Sequence, residues 1–121
     1  MRAVASILSI ILFLAFATAG LQKLIFNTMA SQTAEHLGFK RSSFQRIGVV
    51  EMAGALGVII GVAARHHSLL ALLNEAAAGG LLIAMLVATV VHLRKGDGLK
   101  GAAPALALAL VCALEIALRL A

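Results

Sequence analysis

LLALLNEAAAGGLLIAMLVATVVHL, residues 69–93, carries one acid, Glu75, and neither Lys nor Arg. At a rise of 1.5 Å per residue this run forms a helix about 37 Å long, enough to cross a hydrocarbon core of roughly 30 Å. It lacks the period-two alternation of a membrane β-strand, which argues against a barrel. Three further runs have the same character. Residues 3–21 are uncharged, residues 47–64 hold only Glu51, and residues 102–120 hold only Glu115 and Arg119. The expected fold is all-α: an integral-membrane, up-down bundle of four transmembrane helices in a single domain spanning residues 1–121.

Composition agrees. Only 12% of the 121 residues are charged and 62% are hydrophobic, against roughly 25% charged in a soluble domain. Mean hydropathy is +1.05. The net charge of +5 does not indicate nucleic-acid binding, because the basic residues sit at the ends of the apolar runs, where membrane helices place them. The one cysteine, Cys112, excludes an intrachain disulfide, a CxxC redox pair and an all-cysteine metal site. It reads as a small apolar core residue.

The basic residues also predict orientation. Arg2, Arg65 and Arg119 fall on one side, while Lys23, Lys40, Arg41, Arg46, Arg94, Lys95 and Lys100 fall on the other. Excess Lys and Arg marks the cytoplasmic face, so both termini are expected outside, in a bacterial inner membrane. Arg2, the apolar run and Ala17-Thr18-Ala19 resemble a secretory signal with a small-residue cleavage site. Cleavage would put the basic segment after Gly20 outside, against the same rule, so residues 3–21 are taken as a true span.

The longest connection, residues 26–46, is expected to hold a short amphipathic helix at the interface. Phe26, Met29, Ala30, Thr33, Ala34 and Leu37 recur at helical spacing, and Gly38 follows as a stop. Ser42-Ser43-Phe44-Gln45 has capping-box spacing before the second span. Gly96-Asp97-Gly98 punctuates the turn between the last two spans.

Ionisable residues inside spans are costly and face protein. On the second span Glu51, Gly54, Val58 and Gly61 share a face, and Gly57 and Gly61 form a GxxxG that reads most simply as close packing. On the third, Glu75, Ala78, Leu82, Met85, Thr89 and His92 form a stripe. Depth divides the polar residues. Lys23, Arg46, Glu51 and His92 fall at the inner ends of their spans and form one candidate cluster. Within it, Glu51 is expected in reach of Lys23, Arg46 or His92. Glu75, Glu115 and Arg119 form an outer group with Arg65, His66 and His67. Glu115 and Arg119 stand four apart in the order that favours a helix ion pair, and Glu75 is expected protonated or paired across helices.

Around the inner cluster the chain resembles the DoxX-like family of small four-helix membrane proteins. The matching pieces are Ala19-Gly20-Leu21-Gln22-Lys23-Leu24, Leu37-Gly38-Phe39, Arg46-Ile47-Gly48-Val49-Val50-Glu51 with its Gly-rich continuation, and residues 88–92 followed by Arg94-Lys95-Gly96-Asp97. The last span carries no such motif. The family takes its name from a subunit associated with quinone-linked sulfur oxidation, and other relatives are implicated in redox balance within membrane complexes. The resemblance implies the fold, draws attention to Lys23, Arg46, Glu51 and His92, and points to quinones.

A catalyst acting alone is poorly supported, and no metal or resident cofactor is expected. His92 lies at the opposite end of the bundle from His66 and His67, so facing haem ligands are not available. A small multidrug exporter would carry an acid in its first span, which is absent here. Two readings remain. One is a non-catalytic accessory or regulatory subunit, partnered by the lipid bilayer and other membrane-protein subunits of a transport or respiratory complex. The other is a quinone-linked redox subunit with its site at the inner cluster.

Overall fold

The computed structural model describes residues 2–63 and 69–120, and within these every regular element is a helix. Arg65, His66 and His67 lie outside the described residues. The elements are α1 (Arg2–Ile25), α2 (Thr28–Leu37), α3 (Arg41–Ile60) with a 3-10 turn at Gly61–Ala63, α4 (Leu69–Arg94) and α5 (Gly98–Leu120). Four of them, all but α2, are long and apolar enough to cross a membrane. They form a ring in which α1 packs on α3, α3 on α4, α4 on α5, and α5 closes against α1.

Chain reversals set the helix ends. α1 stops where Phe26 turns left-handed at φ 50°, with its N–H on the Lys23 carbonyl and the Asn27 N–H on the Gln22 carbonyl. Asn27 then caps α2 by accepting from the Ala30 N–H at 2.8 Å. Gly38 ends α2 at φ 81° with the same pair of backbone bonds, and Gly96 ends α4 likewise at φ 79°. Glycine takes this conformation without steric cost, whereas a side chain there costs about 1–2 kcal/mol.

The helices are longer than the apolar runs. α3 starts at Arg41 instead of residue 47, and the capping box does not form: the N-cap is Lys40, without a side-chain bond. Gln45 has a better partner. Its amide donates at 2.9 Å to the Leu24 carbonyl, which lies in the last turn of α1, where intrahelical donors run out. α5 likewise starts at Gly98, ahead of residue 102.

Glycines bring the helix axes together. A Cβ on Gly20 would stand 2.8 Å from the Gly48 carbonyl oxygen, and one on Gly48 would stand 2.8 Å from the Gly20 oxygen and the Lys23 Cβ. α1 and α3 therefore touch backbone to backbone. Gly54, Gly57 and Gly61 face Leu81, Ala77 and Asn74 across the α3–α4 seam, so the GxxxG serves packing within the chain. Between the polar ends lies an apolar core that includes Leu12, Phe16, Val58, Leu81, Met85 and Cys112. Outward, large apolar residues such as Ile7, Leu21, Leu72, Ile83 and Leu110 are exposed, as expected of a bundle solvated by lipid.

The stripe expected on α4 holds at Ala78 and Met85, while Asn74 and Leu81 are buried in place of Glu75 and Leu82. The buried positions are Ala71, Asn74, Ala78, Leu81 and Met85, while Glu75 is half-buried. The reason lies at the end of α3. The Asn74 amide donates at 2.6 Å to the Val58 carbonyl where the helix gives way to the 3-10 turn, a bond that an ionised carboxylate has no hydrogen to make.

Candidate functional site

The close approach at Gly20 and Gly48 carries Lys23, in the last turn of α1, over α3. Its Nζ meets Glu51 Oε1 at 2.8 Å. The Glu51 side chain is 3% exposed and that of Lys23 is 20% exposed, so the ion pair is shielded on the carboxylate side and reaches the surface through the amine. Lys23 Nζ also lies 5.3 Å from the centroid of Phe44. Phe44 packs edge-on against Phe26 and tilted against Phe39, and this aromatic knot pins the two ends of α2 to α3.

Beside the pair opens a chamber of about 470 Å³ between α1, α2, α3 and α4. Its wall is largely apolar, with Met29, Phe39, Phe44, Ile47 and Met85 among the larger contributors. Lys23, Arg46, Glu51 and His92 all border it. They do not form a single bonded network. Lys23 and Glu51 pair with each other. Arg46 is exposed at the edge and has no ion-pair partner among the described residues. His92 turns to Asp97.

Asp97 is the residue that sequence reasoning missed, having treated it as turn punctuation. Gly96 at φ 79° and Gly98 at φ 66° fold the turn back. Asp97 Oδ2 then meets His92 Nδ1 at 2.7 Å and Oδ1 meets His36 Nε2 at 2.6 Å. Hydrogen bonds from His92 and from His36 hold the Asp97 carboxyl below the ordinary carboxylate value. The signal in sequence is an acid flanked by two glycines five residues after a histidine, which periodicity does not weigh.

The opposite end holds a second polar group. Arg119 Nε donates to Glu115 Oε1 at 2.5 Å. Ser9 of α1, also unremarked in sequence, donates its hydroxyl to the same oxygen at 2.8 Å. Arg119 further donates to Ser9 Oγ and to the Gly61 carbonyl. Glu115 is fully buried, and its Oε2, like Asn74 Oδ1, has no hydrogen-bond partner among the described residues. Glu75 stands apart from this group, with no hydrogen bond or ion pair among the described residues. Among those residues no three His, Cys, Asp or Glu side chains converge as metal ligands, and Cys112 is buried in the core.

Comparison with protein families gives a match to the DoxX-like family over residues 7–114. Comparison with curated proteins and with solved structures gives no match.

Proposed function

The chain belongs to the DoxX-like family, and from that premise we propose that it is a membrane subunit that binds a quinone-class molecule in the chamber beside Lys23 and Glu51. The observation that carries this reading is the chamber itself. About 470 Å³ suits a small-molecule site, in which mostly apolar walls bury the ligand and a few polar groups orient it. The apolar wall suits a ring and the start of an isoprenoid tail. The Lys23 ammonium supplies donors for ring oxygens, His92 Nε2 adds one when the ring is charged, and Glu51 keeps the ammonium neutralised when the site is empty. Electrons would come from a donor protein in the same assembly. The basic loops beside the chamber favour a cytoplasmic position for it, with both termini outside.

The test is binding of decylubiquinone to the protein purified in lipid nanodiscs. Ala88 borders the chamber, so Ala88→Phe fills it and is expected to abolish binding while leaving helicity unchanged. No binding by the wild type, or equal binding by Ala88→Phe, overturns the reading.

One observation favours the accessory-subunit reading as a companion. Gly79 and Gly80 lie mid-span on α4, and a Cβ on either would meet nothing within 4 Å. Each such glycine costs roughly 0.5–1 kcal/mol relative to alanine, and packing within this chain does not use them. A neighbouring helix from another subunit would. Mild-detergent extraction followed by native mass analysis is expected to recover the chain with a partner, and Gly79→Leu to lose that partner. Recovery of the wild type as a free monomer sinks this companion reading.

A further inference from the structure

We propose that Asp97 is a positioning residue of the chamber, one carboxylate oxygen orienting His92 and the other seating α2 as the movable wall. The inference deepens the reading of the chamber as a ligand site and rests on it for the identity of the ligand.

Three observations converge. First, α2 is anchored by the aromatic knot at its ends and held lightly between them. It has ten residues, of which only Ala30 and Ala34 are buried, and Met29 is 64% exposed. It is bounded by two left-handed residues, Phe26 and Gly38, the kind of positions that absorb a change in chain direction. Second, α2 forms part of the chamber wall through Met29, Ala30, Thr33 and Leu37. Among the described residues its one side-chain polar link to the long helices or their turns is His36 Nε2 to Asp97 Oδ1, at 2.6 Å. Third, the other oxygen of that carboxylate holds Nδ1 of His92 at 2.7 Å, and His92 borders the same chamber.

The chemistry fixes the roles. An ionised carboxylate only accepts, so both histidines donate to it. His92 therefore carries hydrogen on Nδ1, and Nε2 is the polar atom left for a ligand. It accepts when the ring is neutral and donates when the ring is charged. Opening α2 would release His36 and with it one of the two bonds that hold Asp97 in place, so closure of the wall and orientation of His92 become one event. Asp97→Asn reverses the arrangement: an amide NH₂ turned towards His92 Nδ1 would push the ring hydrogen to Nε2.

The experiment uses the full chain in nanodiscs with ¹⁵N-labelled histidine, read by nitrogen chemical shift, by amide hydrogen exchange across residues 28–37, and by titration with decylubiquinone. In the wild type His92 is expected with hydrogen on Nδ1. Asp97→Asn is expected to move it to Nε2, while the amide oxygen still accepts from His36 Nε2 and exchange in α2 changes little. His36→Leu keeps Asp97 but removes the donor to its Oδ1, so it is expected to speed α2 exchange about tenfold, which corresponds to about 1.4 kcal/mol, while leaving the His92 tautomer in place. It also serves as the second variant should Asp97→Asn accumulate poorly. An unchanged tautomer in Asp97→Asn, or unchanged α2 exchange in His36→Leu, overturns the proposal. If the wild type binds no decylubiquinone, the quinone reading fails, while tautomer and exchange still decide the role of Asp97.

Discussion

Gly48→Ala and Gly79→Ala add the same methyl group to two spanning helices, and the structure assigns them opposite signs. At Gly48 the new carbon would lie 2.8 Å from the Gly20 carbonyl oxygen and 2.8 Å from the Lys23 Cβ. The first of these is backbone and cannot swing aside, so α1 and α3 must separate by about half an ångström or more to restore contact distance. Overpacking of this kind costs about 1–3 kcal/mol, partly offset by the better helix propensity of alanine, worth up to about 1 kcal/mol. At Gly79 nothing lies within 4 Å, and only the propensity gain remains. The two variants should differ by about 2 kcal/mol, or roughly 6–10 °C in Tm for a chain of this size. The protein supplies its own reporter: its one thiol, Cys112, is fully buried, and a maleimide dye will label it only as the bundle opens. Labelling on heating, in nanodiscs without partner subunits, gives the two midpoints. If Gly48→Ala melts at or above Gly79→Ala, the backbone contact between α1 and α3 is not as described.

Other expectations follow from the two polar ends. Glu51→Gln leaves Lys23 without its counter-ion and should cost about 2 kcal/mol, less than the 3–5 typical of a fully buried pair because the amine reaches solvent. Adding Lys23→Met should recover part of that loss in a double-mutant cycle by Cys112 labelling. Glu115→Gln removes the carboxylate that holds Arg119 and Ser9 and should destabilise by about 3 kcal/mol, whereas Glu75→Gln should stay within about 0.5 kcal/mol; equal effects would contradict the separation of these two acids. Asp97 has a lowered pKa in the folded state, so the stability it contributes is present above the usual value of 3.8 and is lost as pH falls through the lower folded value. Melting curves for Asp97→Asn should lack that acid-side loss. A cytoplasm-dependent reporter fused to the C-terminus should stay silent, and a strong signal would reverse the orientation.

The four long helices were legible because their apolar runs approach the thickness of a bilayer, a signal that depends on composition and hardly on packing. Their ends were not. Arg41 to Arg46 are polar, yet helical, because α3 continues beyond its apolar stretch and Gln45 finds the Leu24 carbonyl. Helical spacing placed Glu51 on a protein-facing side, and depth put it level with Lys23; the partner itself was chosen by the glycine contact at Gly20 and Gly48. The burial of Asn74 in place of Glu75 shows the limit of spacing, since the two differ by only one position and the choice between them depends on which can donate to a carbonyl. Asp97, His36 and Ser9 come to their partners through turns or across the bundle, and no period in the sequence measures such distances.

The apolar layer between the two polar ends has an electrical consequence. From Ser9 to Lys23 along α1 is about 21 Å at 1.5 Å per residue, and the interior over that length is closed by side chains such as Leu12, Phe16, Val58 and Leu81, each no more than 1% exposed. A charge entering that stretch would forfeit its hydration, at a cost of several kcal/mol or more, with no carboxylate or imidazole among the described residues of the layer to receive it. The bundle is thus an insulator along its axis. On the proposed quinone reading, protons exchanged in the chamber would return to the side they came from, and a reaction there would proceed without discharging the gradient across the membrane.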